Sequence, residues 1–131
     1  MVLRNKRREA RHGFTLMELL VVVAIIVMLA GLGTWSYMRY LEGARESKAK
    51  LDITHISQAA EAYKVDYGEY PDSLQVLTQP IDNKPAALEA KDIVDPWGQA
   101  YVYEPQNVNP STFKPKIYSS HPTGGQPISN W

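Results

Sequence analysis

Residues 13–18 read Gly13-Phe14-Thr15-Leu16-Met17-Glu18, and residues 19–38 continue as LLVVVAIIVMLAGLGTWSYM. The twenty residues of that continuation carry no charge. At a helical rise of about 1.5 Å per residue they span about 30 Å, the thickness of a bilayer's hydrocarbon core. Directly upstream, Arg4, Lys6, Arg7, Arg8 and Arg11 stand against Glu9 alone, a net charge of +4 over residues 1–13. Basic residues beside an apolar span stay on the cytoplasmic side, so residues 1–13 are expected there and the chain beyond the span is expected to face outward. Residues 14–131 carry −4, so the zero net charge of the 131-residue chain averages two unlike regions.

A secretory signal peptide shares the basic start and the apolar stretch. Here the stretch is longer, no A-x-A-like site follows it, and Glu18 stands at its head. A carboxylate inside hydrocarbon costs about 2.5 kcal/mol or more at the centre and less near the interface. Glu18 therefore either snorkels to the headgroups or has a partner of its own. The chain has no cysteine, which excludes disulfides and thiolate metal sites, and His12, His55 and His121 lie too far apart in sequence to suggest a metal cluster.

Beyond the apolar run the sequence turns polar but keeps a helical period. Ala49, Ile53, Ile56, Ala60, Tyr63 and Tyr67 follow spacings of 4, 3, 4, 3 and 4, one face of a helix. Arg45, Lys48, Lys50, Asp52, Gln58, Glu61 and Lys64 occupy the other faces. No proline lies between Phe14 and Tyr70, so one helix of about fifty residues is expected, stopped by Gly68 and Pro71. Gly31 and Gly33 either loosen it or permit close helix approach. The apolar stripe reads as the core face of a small head, with His55 beside it at the surface. A short helix is expected near 72–79, with Asp72 as its cap, and a further turn near 86–90. Asp95-Pro96-Trp97-Gly98 has the signature of a type I turn, with Asp95 bracing the turn itself. Residues 100–104 read as a strand, 106–112 as a turn, 113–119 as a returning strand interrupted by Pro115, and 120–131 as loop. Trp97 reads either as an anchor buried beneath this hairpin or as a contact with another subunit.

The basic leader, Gly13, the Phe14-Thr15-Leu16-Met17-Glu18 sequence and the long apolar run together resemble the class III signal of type IV pilins and their relatives. The resemblance implies cleavage by a prepilin peptidase after Gly13, N-methylation of the new terminal Phe14, and an assembly role for Glu18, fifth residue of the mature chain. A new ammonium on Phe14 would lie one helical turn from Glu18 of its own chain, or be met by Glu18 of a neighbour. Further along, Asp66-Tyr67-Gly68-Glu69-Tyr70-Pro71, the Asp95-Pro96-Trp97-Gly98 turn and the terminal Asn130-Trp131 resemble the major pseudopilins of the type II secretion system, the protein G family. The implied fold is α+β and type IV pilin-like: a long N-terminal helix on a small antiparallel sheet with a loop-rich C-terminus. The implied organisation is a cleaved cytoplasmic leader, 1–13, a membrane and filament-core helix, 14–38, and a periplasmic head, 39–131. The implied location is the bacterial inner membrane, single-pass, and then a periplasmic filament.

This sequence departs from the family pattern in two places. Trp35 stands where the family usually has a proline. Thr123 and Pro127 stand where calcium-binding aspartates belong, and no acidic residue follows Glu104. Calcium takes six to eight oxygens including carboxylates, so tight binding is not expected; Ser119 and nearby carbonyls are the only weak candidates.

Three functions are compatible with a chain of this organisation. A structural subunit of the secretion pseudopilus would act through self-assembly, with the prepilin peptidase, minor pseudopilins and the inner-membrane secretion platform as partners, and with energy from a separate ATPase, since no P-loop is present. A type IV pilin or DNA-uptake pseudopilin would favour an exposed basic or aromatic patch; after residue 64 only Lys84, Lys91, Lys114 and Lys116 are basic, which argues against nucleic acid. A membrane-anchored enzyme would need a constellation that Asp66, Glu69, Asp72, Asp92 and Asp95 do not form, because they are scattered and lack a paired base or nucleophile.

Overall fold

The computed structural model describes residues 13–120 and 126–131, so the basic leader upstream of Gly13 and Thr123 lie outside the described residues. The chain divides into two units, Met1–Arg39 and Tyr40–Trp131. One helix, α1, spans Leu16–Tyr67 and contributes to both. Within the first unit every described side chain of α1 is exposed, including Leu20, Ile26, Leu29 and Leu32.

In the second unit the expected stripe is the core as far as Tyr63, which is half-buried, while Tyr67, its last member, is exposed. Ala49, Ile53, Ile56 and Ala60 are buried. Ile53, Ile56 and Ala60 pack with Leu74, Leu77, Leu88, Tyr101 and Ile117. His55 is exposed. Gly68 ends α1 as expected, donating its N–H to the Lys64 carbonyl at 2.8 Å with φ +86°, a left-handed conformation that costs a residue with a Cβ about 1–2 kcal/mol. Buried Pro71 follows it.

Two 3₁₀ helices cover the core, Leu74–Thr78 and Ala90–Ile93. The first lies where a short helix was expected, but its cap position is Ser73 rather than Asp72, and Ser73 makes no side-chain capping bond. The second begins later than the turn expected at 86–90, because Glu89 and Asp92 form a reciprocal capping box. Between them Asp82 (φ +49°) and Asn83 (φ +63°) make a tight turn closed by Ile81 and Lys84. Two successive positive φ angles are the signature of a type I′ turn, which Asp and Asn tolerate.

The sheet has strands β1 (Val102–Val108), β2 (Pro115–Ser119) and β3 (Ile128–Ser129), antiparallel, with β2 in the middle. Four boundaries differ from the sequence expectation, the first being that β1 starts at Val102 rather than at Ala100, which makes only an isolated bridge to Val94. Strand β1 continues through residues expected to turn; Val102, Tyr103 and Glu104 pair with Tyr118, Ile117 and Lys116, and the register then shifts before Val108 meets Pro115. Pro105, which has no N–H to give the ladder, sits in that irregularity. Strand β2 starts at Pro115 rather than Phe113. The Asn109 side-chain oxygen receives the N–H groups of Ser111 (2.8 Å) and Thr112 (3.2 Å), and Phe113 is left exposed at φ +56°. The tail is not all loop: Asn130 draws it into the sheet. Its Oδ1 accepts from the Ile117 N–H (3.0 Å), its Nδ2 donates to the Pro115 carbonyl (2.9 Å), and its own N–H donates to the Ile117 carbonyl (3.1 Å).

Candidate functional site

Two places hold the residues singled out in the sequence. The first is the start of α1. Thr15 caps the helix: the Glu18 N–H donates to Thr15 Oγ1 at 3.2 Å, and Glu18 Oε2 accepts the Thr15 N–H at 2.9 Å. This reciprocal pair is a capping box, and the Thr-x-x-Glu spacing that encodes it is plain in the sequence. The box gives the misplaced carboxylate a partner within its own chain, beyond the terminal ammonium considered above. It also satisfies helix N–H groups that have no partner in the first turn. Phe14 is 84% exposed, and a Cβ placed on Gly13 would meet nothing within 4 Å. The fold itself therefore gives no steric reason for glycine at position 13.

The second place is the turn at Asp95. The Gly98 N–H donates to the Asp95 carbonyl at 3.0 Å, with Gly98 at φ +89°, closing the expected turn. Asp95 Oδ1 accepts from the Trp97 N–H (3.0 Å) and the Gln99 N–H (2.8 Å), and Asp95 Oδ2 accepts from the Ser119 hydroxyl at 2.6 Å. Asp95 and Ser119 are both buried. A buried carboxylate is tolerable only when it is supplied with donors, and here two backbone amides and a hydroxyl provide them. Trp97 is half-buried and is not an anchor beneath the hairpin; its indole N–H donates to Glu42 Oε1 on α1 at 2.9 Å. Pro96 is half-buried and Pro127 is exposed.

Sequence reasoning missed three polar groups of the head. Glu42 lies 55 residues from Trp97. Asp52 receives both the Lys48 ammonium (2.6 Å) and the Tyr101 hydroxyl (3.1 Å). Burial, reinforced by Asp52, pushes the Tyr101 phenol well above its ordinary range. Tyr103 is the third: its buried hydroxyl has no hydrogen-bond partner among the described residues, and burial pushes its pKa up to about 12. Asp66 pairs with Lys84 at 2.7 Å at the surface, and Asp92 belongs to the capping box of the second 3₁₀ helix. Among the described residues no three His, Cys, Asp or Glu side chains form a group able to hold a metal ion.

The Prokaryotic N-terminal methylation motif matches residues 8–34, across the cap and most of the apolar run. The family model for Type II secretion system (T2SS), protein G matches residues 36–124, across the head. The chain belongs to the protein G family of the type II secretion system. Type II secretion system core protein G of Aeromonas hydrophila is 33% identical, over 97% of this chain and 95% of the relative. The core protein G of Pectobacterium carotovorum is 33% identical over 92% and 85%, and that of Escherichia coli K12 is 32% identical over 94% and 92%. No solved structure gives a significant match. As a protein G family member the chain is a membrane-anchored structural subunit of the secretion pseudopilus, which assembles with other components of that system; this reading stands over a type IV pilin or DNA-uptake pseudopilin.

Proposed function

We propose that this protein G family member is inserted with its basic leader in the cytoplasm, cut after Gly13 by a prepilin peptidase, methylated on Phe14, and stacked through residues 14–38 into a periplasmic filament that drives folded proteins across the outer membrane. The observation that carries this reading is the first unit of α1, which exposes every described apolar side chain and keeps its only carboxylate at the capped end. Such a surface needs lipid first and neighbouring helices afterwards. Thr15 engages Oε2 of Glu18, so the Phe14 ammonium of an adjacent copy can be received at Oε1. Minor pseudopilins and the inner-membrane platform complete the set of partners. The head has no catalytic role and no nucleic-acid partner.

We further propose that the head holds its C-terminal segment without calcium. Ser119, the weak candidate ligand, already gives its hydroxyl to Asp95, and Pro127 has no side-chain oxygen. Asn130 supplies the tie between tail and sheet.

Deletion of the gene and complementation with the intact chain is the deciding test. Exported enzymes should accumulate in the periplasm of the deletion strain while twitching and DNA uptake persist. Normal export in the deletion strain would overturn the proposal.

A further inference from the structure

The far end of the uncharged run carries a cation stacked on an indole. The Arg39 guanidinium lies 4.5 Å from the centroid of the Trp35 ring, one helical turn back on α1. Both belong to the first unit, and Trp35 and Tyr37 are each more than half exposed, at 62% and 61%. Arg39 is the first charged residue after Glu18. Counted along the helix, Trp35 lies about 25 Å and Arg39 about 31 Å from Glu18. A hydrocarbon core is about 30 Å thick, so with Glu18 at one interface the pair falls at the other. Trp and Tyr concentrate at that level because a flat apolar ring with one polar edge suits the headgroup boundary, and a guanidinium matches phosphate oxygens.

We infer that Trp35, Tyr37 and Arg39 form a headgroup belt that docks on the phospholipid phosphates at the end of the span opposite the leader. The belt fixes how deep the subunit sits before assembly. Stacking on Trp35 removes part of the freedom of the Arg39 side chain while leaving its N–H edges for phosphate. This inference rests on the membrane-anchored reading.

The test uses the full chain and its Trp35→Phe variant in vesicles of phosphatidylethanolamine and phosphatidylglycerol with bromine at shallow, middle or deep acyl positions. The emission lost in the variant isolates Trp35 from Trp97 and Trp131. That emission should be quenched most by shallow bromine. Arg39→Leu lengthens the apolar run and should move the strongest quenching to a deeper position. Strongest quenching by deep bromine in the wild type, or none at any depth in protein that floats with the vesicles, would overturn the belt and leave anchoring intact. An unchanged depth in Arg39→Leu would overturn the part given to Arg39. Protein that fails to float with vesicles would overturn the anchoring reading, and the belt with it.

Discussion

The Ser119 hydroxyl reaches Asp95 Oδ2 across 2.6 Å, joining the end of the central strand to a turn 24 residues earlier in the chain. Both side chains are buried, so neither partner has water as a substitute. Asp95→Ala should destabilise the head by about 1–3 kcal/mol or more, because it strands a hydroxyl and two amides. Asp95→Asn keeps the Oδ1 acceptor and offers Ser119 a donor, and should cost less. Chemical denaturation of the detergent-solubilised chain measures both; equal losses would contradict this account.

Tyr103 supplies a pH dependence. Its folded pKa is raised by burial to about 12 from an ordinary 10.0. The protonated phenol is the form the fold favours, so its contribution is complete below pH 10 and is lost as pH rises towards 12. Stability followed through that window should fall more steeply in the wild type than in Tyr103→Phe. Parallel curves would show that the buried phenol does not titrate late.

Asn130 ties the C-terminal segment to β2 by side-chain bonds to Ile117 and Pro115. Asn130→Ala removes two hydrogen bonds and should cost about 1–3 kcal/mol. Amide exchange should accelerate at Ile117, which loses its acceptor, more than at the Tyr103 pairing. Unchanged protection at Ile117 would remove the clamp from the description.

Processing has a mass signature. The native subunit should lack residues 1–13 and carry one added methyl group on Phe14. Glu18→Ala should insert into the membrane and fail to join filaments. Filament incorporation of that variant at the wild-type level would leave Glu18 as a helix cap only.

Calorimetric titration of the purified chain should show no calcium binding in the micromolar range, and chelation should leave its unfolding midpoint unchanged. A chelator-sensitive midpoint would place a cation site in the head.

What could be read in advance was local. The stripe from Ala49 to Tyr63, the stop at Gly68 and the turn at Asp95 depend on neighbours within one or two helical turns or within a four-residue turn, and each formed as expected. Thr15 and Glu18 form a capping box whose Thr-x-x-Glu spacing is a signal as local as the others. The misplaced boundaries have distant causes. A two-residue β3 exists because Asn130 meets β2 from 13 residues away, and Phe113 leaves the strand because Asn109 locks the loop before it. The docking of Trp97 on Glu42 spans 55 residues and has no sequence signature.

The core cluster draws every one of its buried residues from Tyr40–Trp131 and none from the apolar start of α1. On the proposed assembly, that start would pass from lipid to sister helices and leave the core of the head intact. Lipid tails are as apolar as leucine, so the exchange brings little hydrophobic gain. Growth by that route would draw on helix packing and polar contacts at the helix ends rather than on hydrophobic burial. A shaft built this way would take the direction of its growth from an outside push rather than from burial of its own apolar surface.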